Sequence, residues 1–387
     1  MKGVMEAVSR GTPLYILPYK EHKVWGVGDI GEYWYGAEAG EKSSIARVGE
    51  NTAPMSEVLA GAAEELLGKG AVERFGPKLP LVKILTPKGR LSVQFHDQKN
   101  ELWIVTGIDR DLTGGEGRII LGFCPEAVEK YGSAITVYYH GALEEYGRAL
   151  NDLVDILEEE GYKDLLLQKK SVISAAEEVR VSYVEEHLDG LKEAAGKMES
   201  FYNWRTVRTG DVIPIPAGTL HALGSGIEVV EPQIPGPTQS MEDGATYPIR
   251  YYFPGRKREG GKKELDIDRA NEINSEVVEE EAPEVIEKTD LLKIERLPGG
   301  FESKGLEVHR ITLAEGAELD AASIQSFHNL VVVKGKAHII VQKEDFDIPK
   351  AHPGGEMMIV PASAGSYRIK AKEQGTQIID TFTPLES

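Results

Sequence analysis

The chain has 387 residues and a net charge of −19, from 44 Lys+Arg against 63 Asp+Glu. That length holds two or three domains, and the acidic excess argues against a nucleic-acid partner. No stretch approaches the roughly 18 uncharged apolar residues of a membrane helix, so no membrane span is expected.

Met1 to Arg10 lack the apolar run of a secretory signal. The single cysteine, Cys124, excludes an intramolecular disulfide and fits a cytoplasmic setting. An anionic substrate would need a local cluster of Lys and Arg to offset the overall charge.

Residues 1 to about 125 mix β-rich segments, frequent glycine and one helix near Met55–Leu67. From about 140 to 200 the pattern is helical. In Ala142–Glu160, Leu143, Tyr146, Leu150, Leu153, Val154 and Leu157 recur at three-and-four spacing. Val172–Lys197 carries a weaker stripe. Residues 205 to about 270 return to strand and turn signals, and the acidic run Glu276–Glu284 reads as a linker. Beyond Leu291 come short strands: Leu306–Leu313, Asn329–Gln342, Glu356–Val360 and Ser366–Ala371.

The two β regions resemble diverged copies. Gly210–Thr219 has a counterpart in Gly354–Ala362, each closing a strand on Pro-Ala. Five residues past that proline stands His221 in the first copy and Ser366 in the second. The second copy also holds His309, His328, His338 and His352, read as structural or surface residues.

The segment Leu91–Val105 carries the chemistry. As a strand it places Ser92, Gln94 and His96 on one face, because side chains alternate. If the polar stretch Asp97–Asn100 closes a hairpin, His96 lies opposite Glu101. A buried face of Gln, His and Glu is costly unless something pairs with all three. A divalent cation does so, with imidazole and carboxylate as ordinary zinc ligands. His221, presented by the turn Pro216–Thr219, is the candidate for the fourth.

At these residues the sequence resembles the type I phosphomannose isomerases, a branch of the cupin superfamily. The shared pattern is Trp25-Gly26, Gly31-Glu32-Tyr33-Trp34, the helix Met55–Leu67, Leu81-Val82-Lys83-Ile84-Leu85 and Leu91 to His96. It continues through Lys99-Asn100-Glu101, Pro216 to Ala222, Glu231-Pro232-Gln233 and the loosened Thr246-Tyr247-Pro248-Ile249-Arg250, with Leu265–Ala270 placed as in the family. The chain departs from it in the tight turn after His96 and in the longer stretch between Glu231 and Arg250.

The resemblance implies a mainly β fold of two cupin-like jelly-roll barrels with an α-helical insertion. Residues 1–135 and 205–275 would form the catalytic cupin domain, 136–204 the insertion and 285–387 the C-terminal β domain. It implies one zinc held by Gln94, His96, Glu101 and His221, although other divalent metals also suit nitrogen and oxygen donors.

It also implies interconversion of mannose 6-phosphate and fructose 6-phosphate. Glu231 would act as acid/base, Arg250 and Lys99 as charge stabilisers, and Ser92 and Lys83 as substrate contacts. Another or unphosphorylated sugar, or sugar binding without catalysis, are the rival expectations.

Overall fold

A computed structural model describes residues 1–36, 42–97, 99–169, 172–233, 246–250, 257–258, 261–262, 266–279, 281–299, 301, 304–323 and 325–385. For residues 24, 167–169, 246–250, 257–258 and 261–262 it describes the backbone alone. The protein is mainly β, as expected. Among the described residues no helix is long and apolar enough to cross a membrane.

Eight strands make the first barrel: Leu81–Leu85, Val93–His96, Glu101–Ile108, Gly117–Phe123, Tyr202–Val207, Val212–Ile215, His221–Leu223 and Ile227–Gln233. Counted in chain order, they pair as 6-3-8-1 in one sheet and 5-4-7-2 in the facing sheet. Ile30–Tyr35 and Tyr19–Val27 extend the first sheet, and Thr246–Arg250 extends the second.

The eight strands Glu307–Leu313, Glu318–Ala322, His328–Lys334, Ala337–Val341, Glu344–Asp347, Met357–Val360, Ser366–Ala371 and Thr376–Phe382 repeat the same two orders. The copy suggested by one aligned sequence segment is therefore a duplication of a whole jelly roll. In both units the sixth strand, the one ending on Pro-Ala, pairs with the third.

The helices described in the insertion, Pro125–Tyr131, Ile135–Glu159, Lys163–Lys169, Val172–Glu178 and Ser182–Glu199, leave the first barrel between its fourth and fifth strands. Their apolar stripe, including Tyr139, Leu143, Leu153 and Leu191, packs on Val93, Phe95, Ile120, Leu220 and Ala222. Strand alternation then turns Gln94, His96 and His221 the other way, into the barrel. This is the step from sequence pattern to site: apolar neighbours dock the helices, and the polar residues between them face inward.

The sheet 6-3-8-1 is buried on both faces. One face joins the interior core of Leu85, Trp103, Val105, Leu121, Ile215 and Leu223. The other, through Val82, Ile84, Leu102, Ile104 and Val230, packs on Leu14, Ile16, Val331, Met357, Ile359 and Ile379 of the second barrel's sheet. Leu14–Leu17 pairs with Met357–Val360, and Ile45–Val48 and Asn51–Pro54 follow it outward. Leu14–Leu17, Ile45–Val48 and Asn51–Pro54 thus extend the C-terminal sheet, across the division drawn between 1–135 and 285–387. The acidic connector also runs against the barrel: Val278 is buried and its carbonyl accepts a hydrogen bond from Arg205.

Candidate metal centre

Gln94 and His96 lie on Val93–His96, Glu101 starts Glu101–Ile108, and His221 starts His221–Leu223. The expected hairpin is absent. Val93–His96 pairs with His221–Leu223 and Thr246–Arg250, whereas Glu101–Ile108 pairs with Val212–Ile215 and Ile227–Gln233. The two segments belong to opposite sheets, so the chain passes from one sheet to the other between His96 and Glu101. His96 and Glu101 meet across the interior instead of along a ladder, with Nε2 and Oε1 3.1 Å apart.

The corner is fastened from several sides. Asn100 Oδ1 accepts from the Ala217 N–H at 2.9 Å. The Gly218 N–H donates to the His96 carbonyl at 2.5 Å. Gly218 takes φ +80°, a conformation that favours glycine. This turn sets the Thr219 carbonyl 2.8 Å from His221 Nδ1. A carbonyl only accepts, so Nδ1 carries the proton and Nε2 keeps its lone pair for the interior.

His221 Nε2 lies 3.7 Å from Glu101 Oε2 and 3.5 Å from the Gln94 amide nitrogen. The amide's oxygen and nitrogen exchange places by a flip, so Gln94 can present oxygen there. One ligand atom each from His96, Glu101 and His221 lies within 4.8 Å of the others, and all three residues are buried.

Burial pushes both imidazole pKa values down, His221 to about 4, which keeps the rings neutral. Burial opposes ionisation of Glu101, but Lys99 and His96 outweigh it and hold its pKa well below the usual range. Two neutral imidazoles, one carboxylate and an amide oxygen make a donor set suited to a borderline divalent cation. The second ring nitrogen of His221 is already oriented, as metal-bound histidines require.

Lys99 contacts Glu101 Oε1 directly. Beside the cluster, the inner face of the sheet carries a cross-strand row: Trp34 opposite Lys83, Lys83 opposite Glu231, and Glu231 adjacent to Trp103. Lys83 Nζ lies 3.4 Å from Glu231 and 3.8 Å from Glu32. The Trp103 indole N–H donates to Glu231 at 2.9 Å, and the Trp34 indole N–H donates to Glu32 at 2.8 Å. Glu231 is 3% exposed. Burial, then the charge of Glu101, raises its pKa to about 7 despite Lys83 and Lys99.

Of the residues expected at the site, Gln94, His96, Glu101, His221, Lys99, Glu231 and Lys83 converge. Ser92 is half-buried just ahead of its strand. Arg250 falls on a strand whose backbone pairs with Val93, but its side chain lies outside the described residues.

Sequence reasoning assigned no site role to Glu32, Trp34 or Trp103. The signal was present: Glu32-x-Trp34 and Glu101-x-Trp103 each put a carboxylate and an indole on one strand face. In the second barrel the equivalent interior positions hold His328 and Asp380, 2.8 Å apart, with Tyr367 beside them.

Fold and site define a two-barrel cupin-type protein with a cation-ready donor set inside the first barrel. No family model matches the chain. The mannose-6-phosphate isomerase of Bacillus subtilis superposes with a TM-score of 0.61, covering 95% of this chain and 99% of that one at 17% identity.

A point variant of the phosphomannose isomerase of Salmonella typhimurium gives 0.59 at 14% identity, covering 96% and 100%. A mannose 6-phosphate isomerase bound with zinc and yttrium gives 0.59 at 12% identity, also covering 96% and 100%. The mannose-6-phosphate isomerase of Streptococcus mutans is 32% identical over 106 residues, which is 26% of this chain and 31% of that protein. That match spans about a third of the curated relative's length. The chain therefore has the fold of the mannose-6-phosphate isomerases.

Proposed function

We propose that the protein is a metal-dependent aldose–ketose isomerase that interconverts mannose 6-phosphate and fructose 6-phosphate. The observation that carries the reading is a buried, ionised Glu101 between two neutral histidines, beside a carboxyl group whose pKa sits near neutrality. The solved isomerase bound with zinc and yttrium supports zinc as the metal. Gln94, His96, Glu101 and His221 would hold it, and it would supply Lewis acidity toward the sugar oxygens.

The remaining chemistry falls to the chain. Aldose–ketose exchange removes the proton on C2 next to the C1 carbonyl and returns it to C1, while the hydroxyl proton passes from O2 to O1. Glu231 is the acid/base for that transfer: burial favours its protonated form and Lys83 its ionised form, so it can both accept and give a proton. Trp103 and Lys83 fix its two oxygens, so its orientation is set before substrate arrives. Lys99, beside Glu101, faces the negative charge that develops on the enediolate; Arg250 is the second cation that the sequence resemblance assigns to that charge, and Ser92 would bond a substrate oxygen. The interior position of Glu231 and Glu101 excludes bulk water from the reacting carbons.

One observation favours a second reading, an unphosphorylated aldose. Each lysine described around this face is matched by a carboxylate: Lys83 by Glu32 and Glu231, Lys99 by Glu101, Lys23 and Lys42 by Glu21. A phosphate needs counter-charge beyond these.

Turnover of zinc-loaded protein with mannose 6-phosphate and with mannose, with and without chelator, separates the readings. Metal-dependent conversion of the phosphate ester alone supports the first, and of mannose alone the second. Metal-bound protein that converts neither overturns both.

A further inference from the structure

Lys83 is 7% exposed and stands between two buried carboxylates, each capped by an indole. The side-chain contacts run from Trp34 to Glu32, Lys83, Glu231 and Trp103. A single ammonium cannot fully neutralise both carboxylates, so whichever holds it more strongly leaves the other closer to neutral. The two ends are not equivalent. Glu32 has a second cation, Lys23 at 3.3 Å, and the Lys83 ammonium also lies over the Trp34 ring, 5.2 Å from its centroid. Glu231 faces Lys83 from Leu81–Leu85, Glu101 and Lys99 from the corner, and Glu32 from Ile30–Tyr35.

We propose that Glu32 is a positioning residue for Glu231: the two share the Lys83 ammonium, and by drawing on it Glu32 sets how strongly Lys83 holds the Glu231 carboxyl group. The role in catalysis rests on the isomerase reading, but the electrostatic coupling does not.

The two carboxyl groups differ in the expected sense. Burial raises both, yet Lys23 and Lys83 bring Glu32 down to about 2, while Glu231 stays at about 7. The arrangement is a charge ladder in which the far carboxylate tunes the near one through a shared lysine. Titrating pairs pushed apart by environment are the usual way to keep one acid protonatable beside another that is ionised.

The Trp103 indole N–H reports the state of Glu231 directly, because it donates to that carboxyl group. The chain has 4 tryptophans, so its indole nitrogen–proton spectrum is sparse, and loss of one peak in Trp103→Phe assigns the reporter. The titration midpoint of that peak is followed in the full-length, zinc-loaded protein. Glu32→Gln frees Lys83 for Glu231 and moves the midpoint down by roughly one pH unit. Glu32→Asp, which keeps the charge, restores most of it. Lys23→Gln, at a partly exposed residue, makes Glu32 lean harder on Lys83 and moves the midpoint up.

A midpoint unmoved by Glu32→Gln and Lys23→Gln, or moved the same way by both, overturns the proposal. If Glu32→Gln does not fold, the upward or absent shift in Lys23→Gln decides alone. Opposite shifts in a protein that isomerises no sugar would sustain the ladder and end the isomerase reading.

Discussion

Glu231 owes its chemical character to three neighbours. Its strand places it inside the barrel, Trp103 holds one oxygen, Lys83 holds the other, and Glu101 opposes its ionisation. Glu231→Gln preserves the shape and the indole hydrogen bond but cannot carry the proton. The expected result is unchanged metal content and a turnover about 10²- to 10⁴-fold lower, the usual contribution of a positioned acid/base. Steady-state kinetics beside metal analysis checks this; wild-type kcat would remove Glu231 from the mechanism. The residues themselves were legible in sequence, because Gln-x-His, a following Glu and Pro-Ala-Gly-Thr-x-His combine donor types that a cation satisfies. Their partners were less so, since Glu32 and Lys83 meet only through strand pairing between segments about 50 residues apart.

The elements that aim these side chains are turns and strand ends. Gly218 sits at φ +80° between Pro216 and Thr219, with Asn274 3.5 Å from where a Cβ would lie. Space is therefore sufficient and the backbone angle is the constraint. Gly218→Ala is expected to cost about 1–2 kcal/mol of stability and to weaken metal binding, because Thr219 no longer holds the His221 ring. Thermal melts and chelator competition test the two parts. A variant with wild-type metal affinity would show that the turn is not what orients His221.

In the second barrel, burial disfavours the His328 imidazolium, but the Asp380 carboxylate outweighs burial and raises its pKa above 6.5. A raised folded-state pKa stabilises fully below 6.5 and loses that contribution as pH rises through the folded value. The melting-temperature gap between wild type and His328→Gln should be widest below about pH 6.5 and narrow at alkaline pH. The gap corresponds to about 2 kcal/mol for a charged hydrogen bond. A gap independent of pH would contradict this account of the pair.

At this scale the sequence misled in one place. Polar residues 97–100 suit a hairpin, and no local pattern tells a hairpin from a corner between two sheets. Only the pairing of each strand with distant partners decides it. The long helix Ile135–Glu159, by contrast, was visible as a periodic stripe because the face it buries recurs at helical spacing, whereas the short Pro125–Tyr131 and the break between Val172–Glu178 and Ser182–Glu199 were not.

Across the whole molecule, the two jelly rolls repeat one strand order but differ inside. Where the first has Glu101 and Glu231, the second has His328 and Asp380, and the cation-ready set among the described residues lies in the first alone. The duplication was hinted at by one Pro-Ala segment and is evident only from topology, since sheet order leaves little trace in composition. The packing of the two barrels was not legible at all. Leu14 and Ile16 are fully buried against Met357 and Ile359, contacts more than 300 residues apart.

A chain ended before residue 284 would expose that apolar face, and it is expected to aggregate rather than melt cooperatively. A soluble, cooperatively folding fragment would mean that the first barrel stands alone.

The most direct test is metal content. Wild type and His221→Ala, each loaded with zinc and desalted, are compared by elemental analysis alongside their circular dichroism. The account predicts about one zinc per chain in the wild type and a large loss of zinc in a folded His221→Ala. Equal zinc in both would contradict the assignment of the site.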